Sequence, residues 1–256
     1  MSAGSTTRRR GTAQRRRRAE RAERILEAAA ELVLRWGYDK TTIDDVARHA
    51  GVAKGTIYLH WGSREDLFAA LMRWDRAEMI GTVRRQLRED PARATLPGLF
   101  GYLAREVHRR PLLRAVLVQD SDVLGKLLKR KQASSTPSEM AEPFRNYLDT
   151  LRERGMARDD LTAEDHLTVL AAVLYGSLVS TRMMPQAFRV SDEREDELMS
   201  DALERLLATG RTPSEADIAA GAAATFAYVD QALEIARAKL RESLGDDLSP
   251  EEGPTS

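Results

Sequence analysis

Residues 41–61, TTIDDVARHAGVAKGTIYLHW, constrain the fold more than any other stretch. Ile43, Val46, Ala47 and Ala50 recur at i, i+3, i+4 and i+7, the apolar stripe of a short helix. Thr42 stands where a capping side chain is wanted. Asp45 follows three residues on, where a carboxylate reaches back to complete a capping box. Gly51 supplies the left-handed residue that ends the helix, and Val52 re-enters the core. A second short helix is expected over 54–61, burying Ile57 and Trp61. Its other face shows Lys54, Thr56, Tyr58, Leu59 and His60, which have donors to offer outside and little reason to be inside. Helix, glycine-containing turn and polar-faced second helix make the pattern of a DNA-binding helix-turn-helix.

Extended to TTIDDVARHAGVAKGTIYLHWGSREDLF, the same string resembles the N-terminal signature of the TetR family of transcriptional regulators, over about the first third of the chain. Three residues depart from the family pattern. Ala53 stands where the family often has a capping Ser, Trp61 where it has Phe, and Arg64 where it has Lys. Ala53 therefore removes one capping hydroxyl.

Composition narrows the setting. A chain of 256 residues, 42% hydrophobic and 31% charged, suits one or two compact domains with a sizeable core. No run of eighteen apolar residues is present, so no membrane helix is expected. The arginine-rich start is followed by no apolar segment of the secretory kind. A cytoplasmic, bacterial protein is expected, on the nucleoid when bound to DNA. Cysteine is absent, and the four histidines (His49, His60, His108 and His166) are dispersed, so no metal or other cofactor is expected. The zero net charge hides an asymmetry: residues 1–24 carry nine Arg and two Glu, a balance of +7, which leaves −7 for the rest. Such a basic start points at a polyanion.

Read in order, the chain divides into four parts. Residues 1–18 are expected to be a disordered basic arm, able to add salt-dependent DNA affinity or to remain a solvated tail. Residues 19–66 make the reading head. Within it a first helix over 19–36 carries the stripe Ile25, Leu26, Ala29, Leu32, Val33 and Trp36 and stops at Gly37. Residues 67–244 form a helical ligand-binding and dimerisation domain. The helix that begins after the Ser63 cap leads into it, and the resemblance makes that helix the link between ligand and head. Further helices are expected at 94–109, 111–119, 121–132, 138–154, 162–184, 192–209 and 214–244, with Pro91, Pro97, Pro111, Pro137 and Pro185 as punctuation. Thr162 with Asp165 and Ser214 with Asp217 are cap pairs, and Gly155 and Gly210 are stops. Residues 245–256 are expected to be an acidic disordered tail. With no period-2 run of β-branched residues, the fold class is all-α.

On the head, Lys54 and His60 are candidates for base edges, and Leu59 for a thymine methyl or for partial burial beside the first helix. Thr56 and Tyr58 offer hydroxyls to phosphates, the Tyr in a role common in the resembled family. Gly55 lets backbone N–H groups come close to a phosphate. Lys40, Thr42, Arg48 and Arg64 are expected to hold phosphates and so fix position.

Segment 162–184 is apolar almost all round and 192–209 has a leucine stripe. These two helices and their symmetry mates suit a four-helix dimer interface, unless they are ordinary core helices. The resemblance also implies a small-molecule inducer, apolar or amphipathic, within the helical domain. Tyr102, His108, Gln119, Tyr147, His166 and Tyr175 are the polar residues in apolar segments that could line its site. The resulting expectation is a homodimeric repressor on a palindromic double-stranded operator. The alternative is a non-specific architectural DNA binder working through the basic arm. No glycine-rich phosphate loop, His–Glu metal cluster or G-x-S-x-G elbow supports an enzyme.

Overall fold

The computed structural model describes residues 3–118, 120 and 139–244. Among them are ten α-helices, two 3₁₀ turns and no strand. The first four helices are α1 (Ala3–Trp36), α2 (Ile43–His49), α3 (Lys54–Tyr58) and α4 (Arg64–Glu89). A 3₁₀ turn at Pro91–Arg93 leads to α5 (Leu96–His108) and α6 (Pro111–Leu117). Then come α7 (Ala141–Glu153), α8 (Ala163–Met183), a 3₁₀ turn at Gln186–Phe188, α9 (Asp192–Leu207) and α10 (Glu215–Ser243). The expected helix at 121–132 and the acidic tail at 245–256 lie outside the described residues.

Local chemistry sets the helix ends as the sequence requires. Capping boxes close at Thr42–Asp45, Thr162–Asp165 and Ser214–Asp217, and Ser63 caps α4. Gly37, Gly51, Gly155 and Gly210 all adopt positive φ, which a residue without Cβ takes up at no steric cost. Helix α1 departs from expectation. It begins at Ala3, where the sequence suggests a disordered arm as far as residue 18. The segment has no proline, and extending an established helix adds one hydrogen bond per residue fixed, so its alanines, glutamine and arginines continue α1 backwards.

Two apolar cores organise the chain. The head core gathers Ile25, Leu26, Ala29, Leu32 and Val33 of α1 with Val46, Ile57, Trp61, Phe68 and Leu71. The body core begins at Ala77 and joins Ile80, Val83 and Leu87 of α4 to Leu99, Tyr102, Phe144, Leu148, Leu170, Leu203 and Val229. The change of core falls inside α4, beyond Leu71, later than the break at residue 66 that the sequence suggests. A continuous helix hides it from periodicity, because one apolar stripe serves both cores. Helix α10 runs antiparallel to α4: Arg73 donates to Ser243, and Arg84 pairs with Asp230. At its end Leu244 packs against the head core and its carbonyl accepts from Arg18 at 3.1 Å. No helix among the described residues is long and apolar enough to cross a membrane.

Candidate nucleic-acid interface

The head holds α3 by its apolar side. Ile57 and Trp61 are buried among α1, α2 and α4, so the opposite side of α3 faces outward. The capping box orients α2: the Asp45 N–H donates to Thr42 Oγ1 at 3.2 Å, and the Thr42 N–H donates to Asp45 Oδ2 at 3.2 Å. The Thr42 hydroxyl itself donates to Asp45 at 2.6 Å. These bonds hold the Asp45 carboxyl below the ordinary aspartate range, with the Thr42 side chain as the leading cause. Ala53 caps α3 without a side-chain bond, as its missing hydroxyl dictates.

Helix α3 stops at Tyr58, short of the expected end at residue 61. The N–H groups of His60 and Trp61 both donate to the Ile57 carbonyl at 2.9 Å, which closes the turn and swings Trp61 into the core. Lys54, Gly55, Tyr58 and Leu59 are exposed and Thr56 is partly so. Leu59 is 78% exposed, so burial beside α1 is not its situation. At Gly55 φ is ordinary and an added Cβ would meet nothing within 4 Å. The chain itself does not require glycine there; close approach from outside would. Lys40, before α2, and Arg48, in its last turn, are also exposed, Arg48 at 3.5 Å from Asp45.

Two of the expected contacts turn inward. The His60 ring lies against Trp61 with centroids 5.2 Å apart and is only partly exposed. The Arg64 guanidinium sits 4.1 Å over the Tyr38 ring and donates to the Tyr38 carbonyl, tying the α1–α2 loop to α4 instead of reaching a phosphate. An aromatic face and a backbone acceptor 26 residues away carry no local sequence signal. Lys54 remains outward, but its Nζ donates to Asp44 Oδ2 at 2.8 Å. That hydrogen bond, then the charge of Asp44, raises the ammonium above the usual lysine value. Asp44, exposed beside Lys54, was not singled out from the sequence.

The residues suggested for a ligand site do not gather in one place. Tyr102 and Tyr147 both enter the body core. The Tyr147 hydroxyl shares a 3.0 Å hydrogen bond with Thr225, and burial pushes its pKa up. His166 is fully buried at the start of α8, where Nδ1 lies 2.9 Å from the Thr162 carbonyl. His108 bonds the Ala104 carbonyl within its own helix. Tyr175 is exposed on α8, and Gln119 lies outside the described residues. Helical position spaced these residues apart: a lining has to converge from several helices, which composition alone cannot show. The aromatic group that does converge is Phe100, Phe144, Tyr147 and Tyr228. Tyr147 and Tyr228 stack at 5.0 Å, and burial pushes the Tyr228 hydroxyl up to about 12. Tyr228 was missed because it sits in an alanine-rich helix.

A second buried group lies between α4, α5 and α6. Asp75 and Glu106 are 7% and 4% exposed. Arg110 bonds Asp75 at 2.8 Å and approaches Glu106 at 3.6 Å, while Gln86 donates to Glu106 at 3.0 Å. Burial raises the Asp75 pKa more than Arg110 lowers it.

Comparison with known proteins bears on this head. Residues 25–71 match the family described as bacterial regulatory proteins, tetR family. The transcriptional repressor AcnR of Corynebacterium glutamicum is 27% identical over 162 residues, covering 60% of this chain and 78% of the relative. The regulator AcrR of Shigella flexneri is 25% identical over 187 residues, 69% and 85% of the two chains. A solved transcriptional regulator from Streptomyces coelicolor shares the fold with a TM-score of 0.53 at 19% identity, covering 72% of this chain and 97% of its own.

Proposed function

We propose that this chain, whose residues 25–71 match the tetR family of bacterial regulatory proteins, is a sequence-specific DNA-binding regulator of transcription, a homodimeric repressor released from a palindromic operator by a small organic ligand. The observation that carries the reading is the outward side of α3. It combines a lysine, a tyrosine hydroxyl, an exposed leucine and a glycine that its own chain does not need. Lys54 and Leu59 would read bases from the major groove. Thr56 and Tyr58 would hold phosphates, and Lys40, Thr42 and Arg48 would add positioning contacts. The architectural alternative finds no favour among relatives named as repressors and regulators.

Dimerisation through α8 and α9 is supported by an exposed apolar stripe. Leu167, Ala171 and Tyr175 recur every four residues on α8, and Leu198 and Leu206 lie exposed on α9. A symmetry mate would cover them and set two heads about 34 Å apart, one helical turn of DNA. The ligand would lodge near the Phe100–Phe144–Tyr147–Tyr228 group, against α4, and favour a body conformation that changes the head spacing. Such a protein works in the cytoplasm, where operator and inducer meet.

Selection of bound fragments from random DNA tests the reading. A palindrome with half-sites about ten base pairs apart is expected, and a variant lacking residues 1–18 should recover the same palindrome at lower affinity. Fragments with no shared motif, or a motif that vanishes with the arm, would overturn it.

A further inference from the structure

We propose that Asp44 and Lys54 act together to read one C·G base pair of each half-site, an inference that rests on the operator-binding reading above. The two residues lie on different helices, the second position of α2 and the first of α3, and meet at 2.8 Å between Nζ and Oδ2. Both side chains are about half exposed on the outward side of the head. The start of a recognition helix is the part that reaches base edges, which places Lys54 in the groove and brings Asp44 with it.

Three other acids of the head have structural work. Asp45 closes the box with Thr42, Asp66 accepts from the Ser63 hydroxyl at 2.7 Å, and Glu31 meets His49 at 2.6 Å across α1 and α2. Asp44 serves no cap. On a surface meant for a polyanion, such a carboxylate is repelled by phosphates unless a base donor receives it.

The major-groove edge of C·G supplies that donor. Cytosine N4 presents an amino hydrogen beyond the one used in pairing, and guanine O6 and N7 present acceptors. N4 and O6 are themselves hydrogen-bonded, about 3 Å apart. A protein acceptor and donor 2.8 Å apart therefore meet that edge in register: Asp44 accepts from N4 while Lys54 donates to O6 and N7. A·T also offers an amino group beside a carbonyl, but there the carboxylate faces the adenine N7 acceptor and the ammonium faces the thymine methyl. Each partner also neutralises the other when DNA is absent, so the head approaches non-specific DNA with one cation fewer than its sequence suggests.

Selection on randomised half-sites with wild type, Asp44→Ala, Lys54→Ala and the double variant tests the pairing. Asp44→Asn serves as a second acid variant if the alanine form melts early. Expected is one C·G position, fixed in wild type, at which each single variant loses about tenfold of its discrimination, with the double variant no worse than either single. If the variants relax different positions, or Asp44→Ala tightens binding to every sequence while the half-site is unchanged, the paired reading is overturned. Wild type selecting no half-site at all would overturn the operator reading itself, a result distinct from either.

Discussion

Head and body use the same material, helices around an apolar core, to opposite ends. In the head the core is almost wholly apolar, with Thr41 buried at its edge and its hydroxyl donating to the Gly37 carbonyl at 2.9 Å. Trp61, Phe68, Ile25 and Leu26 fill it, and the polar chemistry of α2 and α3 is left outside. In the body polar groups go in: Tyr147 against Thr225, and Asp75 with Glu106 around Arg110. A reader needs a rigid support and a wet face, because its ligand is a large polyanion met at the surface. A body proposed to answer a small molecule has reason to keep polar groups in its interior, where small shifts change their partners. The difference teaches that the head is specified by packing and the body by packing plus a few expensive internal pairs.

The largest test removes the head's support. Trp61→Ala should cost about 3–5 kcal/mol and abolish DNA binding, while the body core retains its own thermal transition. A single cooperative transition lowered as a whole would show that α4 fuses the two cores into one unit. Next, Arg110→Met leaves two buried carboxylates facing each other. Because Arg110 is itself one-fifth exposed, a loss of about 3 kcal/mol is expected, the low end for breaking a buried pair, read by urea denaturation. An unchanged midpoint would mean that water already screens this site.

Gly55→Ala separates support from reading. Folding should gain about 0.5–1 kcal/mol, as alanine for glycine does within a helix, while operator affinity falls. Equal or better DNA binding would remove the argument that the backbone there is kept bare for a phosphate. The smallest effect is in pH. The depressed pKa of Asp45 gives the head stability that is present above the ordinary aspartate value of 3.8 and is lost as pH falls through the lowered one. Asp75 has the opposite sign. Its raised pKa means stability present below 3.8 and lost as pH rises through the folded-state value. Wild type should thus gain on Asp75→Asn as pH is lowered towards 4, in parallel denaturation series. A constant gap would place Asp75 outside this account.

Much of the head was legible from the sequence because its signals are local. Thr42 with Asp45, Ser63 before α4 and Gly51 at positive φ each act within a turn of their own position. The family resemblance rests on that same stretch. What escaped depends on partners far along the chain or on another helix. Arg64 stacks on Tyr38, Lys54 pairs with Asp44, and Arg110 reaches back to Asp75. Periodicity tells which side of a helix is apolar; it does not say what a long cation on the other side will find. The early start of α1 escaped for another reason, since charge density suggested a chain that could not order itself.

The antiparallel course of α10 beside α4 has a practical consequence. Leu244, at the end of that helix, touches the head core and accepts a hydrogen bond from Arg18 near the root of the basic segment. Residue 244 therefore lies against the reading head, not at the far end of the body. A fluorescent protein, affinity tag or effector domain joined after Leu244 would start beside the reading head. An experimenter wanting an inert label should place it elsewhere, and one wanting to bring an activity to chosen DNA would find the attachment point already in position.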